Sequence, residues 1–299
     1  METCEDSAAL WSSPIAFAGA DSTTCFQPKQ ELAWSLISSS FALSSFSAVL
    51  AAFMFAAMVL TLTRELKEYS RGKLRSAIDP HIGRPIAFMF AAFFSLVMAA
   101  FLFAAMTGEE ADKANPKQFI EGALPSLVLS LGVAQMAVSL AWLLSVRDLF
   151  GLPTDLARLM VHATVVLAAF FLTGVVVSPL FQELVRPGFA LQSWVAWLVL
   201  VVVILAAIPL GAVARRRVAR FLWQDQIVRF VNVASLAMAV LAALGWNVVF
   251  SLGRCAVAPI YNTGLGNLML AAAFVLVMAM FAALEVATPA PKRLLKGPR

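Results

Sequence analysis

Charged residues are scarce in this chain, because Asp, Glu, Lys and Arg make up only 13% of its 299 residues. Soluble domains are about a quarter charged and somewhat under half apolar, whereas this chain is 61% hydrophobic with a mean hydropathy of +0.86. The composition excludes a soluble enzyme with a solvated surface. It also excludes a disordered chain, which could not carry 23 Phe and 7 Trp. The sequence therefore predicts an integral membrane protein.

Apolar runs long enough to cross a bilayer occur seven times. A helix needs roughly 20 apolar residues to cross a hydrocarbon core of ~30 Å, and the runs lack the alternation of a lipid-facing barrel strand. We therefore predict an all-α bundle of seven transmembrane helices. The predicted spans are Leu36–Leu62, Pro85–Met106, Gly122–Val146, Leu159–Phe181, Ser193–Val213, Phe230–Leu252 and Gly264–Ala287.

Basic residues are distributed unevenly over the predicted loops. The first, third and fifth loops and the C-terminal tail hold 17 of the 22 Lys and Arg. Because short basic loops stay in the cytoplasm, we predict an outside N-terminus and a cytoplasmic C-terminus in a cytoplasmic or plasma membrane. The chain then divides into an acidic extracytoplasmic segment at 1–35, the bundle at 36–287 and a basic cytoplasmic tail at 288–299. The basic charge faces anionic lipid headgroups, so it does not indicate nucleic-acid binding.

Small residues recur at every fourth position in two of the spans. Helices in lipid associate by close packing at small residues, so these stripes predict helix-packing faces, with a ligand groove as the alternative. One stripe comprises Ser40, Ser44, Ala48, Ala52 and Ala56, and the other comprises Ser235, Ala239, Ala243, Asn247 and Ser251. Trp142 is predicted as an interfacial anchor at a cytoplasmic helix end.

Ionisable residues are nearly absent from the predicted spans, and an ionisable group in hydrocarbon is the first place to look for function. His162 and Glu285 both lie about one turn inside the predicted cytoplasmic boundary. They could pair and sense pH, because histidine changes its charge near neutral pH. Alternatively, each side chain could simply be solvated among the headgroups.

Uncharged polar residues form a second set of candidates. Gln135 lies at the midplane of the third span, near Ser130 and Ser139, and Asn247 lies in the sixth span. A primary amide in hydrocarbon needs a hydrogen-bond partner. These side chains could join neighbouring helices, or they could line a small polar cavity.

Motifs for catalysis or for cofactor binding are missing from the sequence. It contains no P-loop, GxGxxG or GxSxG motif. The run Gly264–Asn267 is similar to the GxGD motif of intramembrane aspartyl proteases, but Asn267 replaces the essential Asp. A haem between helices needs two axial histidines from facing spans, but His81 falls in a predicted loop and His162 is then the only histidine in a span. No group of His, Cys or carboxylate residues clusters in a way that would bind zinc. We expect neither an enzyme nor a bound metal or cofactor.

The predicted topology resembles that of rhodopsins and G-protein-coupled receptors, which also have seven helices and an outside N-terminus. The resemblance is one of topology alone. None of the lysines lies in a span, so the retinal-binding lysine of rhodopsins is missing, and no DRY-like or NPxxY-like motif occurs at the expected helix ends. Topology does not confer function, so the sequence assigns no family.

All three cysteines, Cys4, Cys25 and Cys255, fall on the predicted outer side. That compartment is oxidising, so a disulfide is allowed. Three pairings are possible. The pair Cys25–Cys255 would tie the N-terminal segment to the last outer loop.

Three functional hypotheses follow from these patterns. The first is a sensor or structural subunit that acts through partners in the bilayer, which are other membrane proteins or further copies of the chain. The second is a channel or facilitator for a small neutral or apolar molecule, which uses the polar faces at Gln135 and Asn247. The third is a protein that holds a cofactor without covalent or metal bonds.

Overall fold

The computed structural model describes residues 36–70, 80–107, 116–147, 159–169, 171–172, 224–251 and 265–287 of the chain. All regular secondary structure within these ranges is helical, which confirms the all-helical prediction for this part of the chain. Its helices are α1 Leu36–Ser70, α2 Pro80–Met106, α3 Pro116–Arg147, α4 Leu159–Ala169, α5 Gln224–Ser251 and α6 Leu265–Ala287.

Four of these helices are long and apolar enough to cross a membrane, which supports the prediction of a membrane protein. Their apolar segments are Ser39–Arg64, Gly83–Met106, Glu121–Leu144 and Gln226–Ser251. Shorter apolar segments, Leu159–Ala169 and Ala272–Leu284, occur in α4 and α6. The predicted span Ser193–Val213 lies outside the described residues.

Several helices continue beyond the apolar runs from which they were predicted. Helix α1 ends at Ser70 and not at Leu62, and α3 begins at Pro116, six residues before the predicted start. The 35 residues of α1 span about 50 Å, which exceeds the ~30 Å hydrocarbon core. An apolar run marks the part of a helix that suits hydrocarbon, whereas the helix itself continues as long as its backbone hydrogen bonds do. The first residues of α2 and α3 are Pro80 and Pro116, and proline is favoured in a first helical turn.

Helix α3 is the centre of the described helices, because it packs against α1, α2, α5 and α6. In its most apolar segment 67% of the residues are buried, compared with 22% for α1 and 28% for α5. Two apolar clusters meet on α3. One joins it to α4, α5 and α6 around Leu131 and Phe281, and the other joins it to α1, α2 and α5 around Met54 and Leu96.

Helices α2 and α3 pack closely at Gly132. A Cβ atom added to this glycine would lie 3.0 Å from Leu96 Cγ and 3.2 Å from Ser95 Cβ. The side chains of α2 therefore rest directly on the backbone of α3. Contacts along the two helices run in opposite directions, since Ser95 lies at Gly132 and Arg84 lies at Trp142. Helices α2 and α3 are thus antiparallel.

The packing face of α1 differs from the predicted stripe of small residues. The stripe leaves the packed face after Ser44, and its exposed members are Ala48, Ala52 and Ala56. The buried positions are instead spaced three, four or seven residues apart, at Ser40, Ser47, Ala51, Met54 and Thr61. Positions four apart advance by about 40° around a helix, whereas positions seven apart return to within about 20°. The prediction of this face was therefore wrong beyond Ser44.

Helix α5 shows the same departure from four-residue spacing. Its buried side follows alternating steps of three and four, at Asn232, Ser235, Ala239, Ala242 and Trp246. The last members of the predicted stripe, Asn247 and Ser251, are exposed. The exposed side carries large apolar residues, including Phe230, Val233, Val240, Leu241, Leu244 and Val248. A continuous apolar surface of this kind needs apolar surroundings, which acyl chains provide.

Candidate functional site

Helix α3 carries more buried polar side chains than any other described helix. They are Glu121, Ser126, Ser130, Gln135 and Ser139. At about 100° per residue, Glu121, Gln135 and Ser139 fall within about 40° of one another. Gly132 lies on this same side, which faces α2, whereas Ser126 and Ser130 lie on the opposite side.

Most buried serines bond to the backbone of their own helix. Ser126 Oγ donates to Gly122 O, Ser139 Oγ to Met136 O and Ser235 Oγ to Val231 O, each at 2.7 Å. Such bonds satisfy a hydroxyl without joining helices. Helices α1 and α2 are joined by a bond of 2.9 Å in which Ser44 Oγ donates to Ala100 O.

Gln135 is fully buried, and neither Oε1 nor Nε2 has a hydrogen-bond partner among the residues that the structure describes. A buried polar group without a partner costs about 1–3 kcal/mol. The two predicted roles of Gln135 were joining neighbouring helices and lining a small polar cavity. Among the described residues, Gln135 joins no helices through a hydrogen bond.

Other buried polar atoms share this property within the described ranges. They are Ser95 Oγ on α2, Ser130 Oγ on α3, and Asn232 Oδ1 and Trp246 Nε1 on α5. Ser95 is the one that belongs with Gln135, because its Cβ lies against Gly132, one helical turn before Gln135. Ser95 and Gln135 therefore lie in the same α2–α3 contact.

Glu121 is a buried carboxylate that the sequence prediction missed. It is fully buried and begins the apolar segment of α3. The third span was predicted from Gly122, which left Glu121 in the preceding loop, so the expectation of no carboxylate in the bundle outside Glu285 was wrong. The available signal was the apolar pair Phe119 and Ile120, which extends the helix past the predicted start.

The predicted partners His162 and Glu285 lie on α4 and α6. His162 is half-buried. The side chain of Glu285 lies outside the described part of the structure, so their pairing stays a prediction. Cys25 and Cys255 also lie outside the described residues.

Asn247 is not brought together with Gln135. It lies on the exposed side of α5, and its Nδ2 donates to Ala243 O at 2.8 Å. The amide is thus satisfied by the carbonyl one turn earlier in the same helix.

Trp142 connects three helices at the end of α3 opposite to Glu121. Its Nε1–H donates to the carbonyl oxygen of Ala287, the last residue of α6, at 3.0 Å. The last carbonyls of a helix have no partner within the helix, so the indole supplies one. The guanidinium carbon of Arg84 on α2 lies 5.2 Å from the ring centroid, a cation–π geometry. We call Arg84, Trp142 and Ala287 the Trp142 junction.

The described residues include no group of three or more His, Cys, Asp or Glu that could hold a metal ion. No family model matches the chain, and neither a curated protein nor a solved structure matches it. A functional proposal therefore depends on the buried polar residues of α3 and on the Trp142 junction.

Proposed function

We propose that the protein is a sensor that acts through partners in the bilayer and is not an enzyme. It is a multi-pass protein of a cytoplasmic or plasma membrane, with seven spans, an outside N-terminus and a cytoplasmic C-terminus. Its partners are lipid headgroups and a second membrane protein or a further copy of the chain.

The Trp142 junction is the observation that supports this proposal. Helix α3 is buried along its apolar length and carries Gln135 near the middle. Two turns further along α3, Trp142 contacts Arg84 near the start of α2 and Ala287 at the end of α6. Residues 288–299 follow directly after Ala287 in the sequence. Small shifts of packed helices can transmit a change between distant sites. A change in packing at Gln135 would alter the junction and with it the start of the basic tail.

Photo-crosslinking from the tail tests the proposal. A photoreactive amino acid replaces Lys292. Crosslinked products in native membranes are then compared between the otherwise unsubstituted chain and the chain that also carries Trp142→Phe. We expect a product with a membrane protein or a second copy, and we expect its yield to change by at least twofold in Trp142→Phe. Trp246→Phe is the control, because its indole N–H has no hydrogen-bond partner among the described residues. No product, or equal yields in all three chains, would contradict a sensor that acts through its tail.

A facilitator for a small neutral molecule is the second candidate. The observation in its favour is that Glu121, Gln135 and Ser139 lie along one side of α3 at successive depths, as the groups of a permeation path would. Proteoliposomes separate the two functions. A facilitator predicts glycerol or urea flux above that of protein-free liposomes and its loss in Gln135→Leu, whereas the sensor predicts no added flux.

A further inference from the structure

The exposed side of α5 carries a regular row of residues that no described helix covers. In its apolar segment 28% of the residues are buried, compared with 67% for α3. The exposed residues recur at alternating steps of three and four, the spacing by which two helices pack along a common seam. We call this row the α5 seam, and its members are Phe230, Val233, Ala237, Val240, Leu244, Asn247 and Ser251.

Asn247 distinguishes the α5 seam from an ordinary lipid-facing surface. It lies within the apolar segment Gln226–Ser251, and one of its Nδ2 hydrogens is donated to Ala243 O at 2.8 Å. The side chain makes no other hydrogen bond within the described ranges, so its second Nδ2 hydrogen and its Oδ1 remain available on the seam. Acyl chains offer neither donors nor acceptors. An amide exposed to them therefore gains by bonding to another helix.

A second copy of the chain is the partner whose chemistry matches the seam. Two copies related by a twofold axis along the membrane normal present parallel α5 helices at the same depth. Each seam residue then faces its own counterpart, as equivalent positions do in a parallel coiled coil. The available donor of one Asn247 meets Oδ1 of the other, and symmetry supplies the reverse bond. A helix of unrelated sequence would offer this reciprocal pair only by coincidence.

The size of the seam sets the strength of such a contact. The 28 residues of α5 extend about 40 Å, so a contact strip about 10 Å wide gives about 400 Å² per copy. The total of about 800 Å² is below the roughly 1,200–2,000 Å² that stable interfaces of soluble proteins bury. Apolar contact also gains little over contact with lipid. The contact is therefore reversible, and the amide pair selects the partner and the register, as a single Asn does in a coiled coil.

We propose that two copies of this chain associate through the α5 seam, with a reciprocal pair of hydrogen bonds between their Asn247 side chains. The second copy is then the bilayer partner of the sensor proposed above, and the contact rests on that function for its physiological meaning. The other side of α5 belongs to both apolar clusters, which connects the seam to α3. A change in helix packing can thus shift the balance between single and paired copies.

Photo-crosslinking of the full chain tests the seam in liposomes that contain only the purified protein. A photoreactive amino acid replaces Val240 on the seam, or Val49 on α1 as the matched control. Val49 is 67% exposed and Val240 is 45% exposed, so random collisions would favour the control. We expect a product of twice the mass of the chain at Val240, with a yield at least fivefold higher than at Val49.

Two substitutions at Asn247 test the amide pair in the chain that carries the photoreactive group at Val240. Asn247→Leu should raise the protein-to-lipid ratio for half-maximal crosslinking about tenfold, because two interhelical hydrogen bonds are lost. Asn247→Gln keeps a primary amide and should stay within about threefold of the unsubstituted ratio. Both variants should keep the melting midpoint of the unsubstituted chain in detergent, because the position is exposed.

Equal yields at Val240 and Val49 would overturn the proposal, because they indicate random collision. The absence of a dimeric product at Val240 would also overturn it, and would mean that lipid or another part of the chain covers the seam. An unchanged half-maximal ratio in Asn247→Leu would exclude the amide pair and indicate that headgroups solvate Asn247. If Asn247→Leu does not fold, the comparison of Val240 with Val49 still decides whether the seam pairs. Tail crosslinking that does not respond to Trp142→Phe would remove the sensor and leave the dimer intact.

Discussion

The indoles of Trp142 and Trp246 are both buried, yet they differ in their hydrogen bonding. Trp142 Nε1 donates to Ala287 O across a sequence separation of 145 residues. Trp246 stacks on Phe250 with ring centroids 4.8 Å apart, and its Nε1 has no partner in the described part of the chain. The same residue type therefore closes a helix end in one place and only fills space in the other.

Replacing each indole by phenylalanine tests this difference. Trp142→Phe should lower the free energy of unfolding by about 1 kcal/mol, the usual net value of a hydrogen bond. It should also increase hydrogen exchange at the end of α6. Trp246→Phe should leave stability unchanged or raise it slightly. Thermal unfolding in detergent, with exchange measured by mass spectrometry, checks both, and equal losses in the two variants would contradict the assignment.

Gly132 and Gly245 form a second matched pair at the residue scale. An added Cβ would lie 3.0 Å from Leu96 Cγ at Gly132, but 3.7 Å from Leu124 Cδ1 at Gly245, which is ordinary contact. Gly132→Ala should therefore be about 1–3 kcal/mol less stable than Gly245→Ala, because overpacking must displace α2. Melting curves of the two variants check this prediction. If Gly132→Ala is as stable as Gly245→Ala, α2 moves away from the added methyl group without a loss of stability, and the prediction is wrong.

At the scale of the helix, the buried residues of α1 and α5 follow spacings of three, four and seven, whereas the predicted stripes of small residues follow a strict spacing of four. Spacings of three and four keep one side of a helix against its neighbours, as in coiled coils. Small residues at strict four-residue spacing rotate away from that side. In an alanine-rich helix such a stripe therefore indicates composition more than contact.

Adjacent positions on α5 test which side is packed. Ala239 is fully buried, and Val240 is 45% exposed. Ala239→Phe should lower stability by at least 1–3 kcal/mol, because the ring cannot fit between packed helices. Val240→Phe, on the exposed side, should change it by less than about 0.5 kcal/mol. Comparable losses in both variants would contradict the assignment of the two sides.

At the scale of the whole molecule, α3 holds together two apolar clusters that share few other helices. The cluster around Met54 and Leu96 reaches α1 and α2, and the cluster around Leu131 and Phe281 reaches α4 and α6. Helices α2 and α5 also contribute to both clusters, and α2 does so through Phe88. Any change that displaces α3 will consequently alter the packing of every described helix.

Orientation is a prediction for the whole chain. A reporter fused after Arg299 should be cytoplasmic, and one fused before Met1 should be outside, because basic residues concentrate in alternate loops. Enzyme reporters active on only one side of the membrane check both fusions. Two termini on the same side would mean an even number of spans.

The outer cysteines allow a second test at this scale. We expect a disulfide between Cys25 and Cys255 because all three cysteines fall on the predicted oxidising side. Mass spectrometry of peptides prepared without reductant should recover the linked pair. Free thiols at both positions would exclude it.

The sequence alone determined that the chain forms long apolar helices that could cross a membrane, and approximately where they lie. Apolar runs of over 20 residues have one stable form in hydrocarbon, the helix, because every backbone group must be bonded within the segment. That rule acts locally, so Leu36 and Met106 were correctly placed as the start of α1 and the end of α2. Helix ends outside hydrocarbon, as at Ser70 and Pro116, are set by other interactions and were missed.

Only the tertiary structure decided which residues meet. Alanine, serine and phenylalanine occur on every side of these helices, so hydropathy does not distinguish a packed side from a lipid-facing one. The burial of Glu121, the open hydrogen bonds of Gln135 and Ser95 among the described residues, and the exposure of Asn247 all depend on neighbouring helices. Those neighbours are distant in sequence, and in lipid close packing selects them, because the apolar surface that identifies a helix is equally compatible with acyl chains.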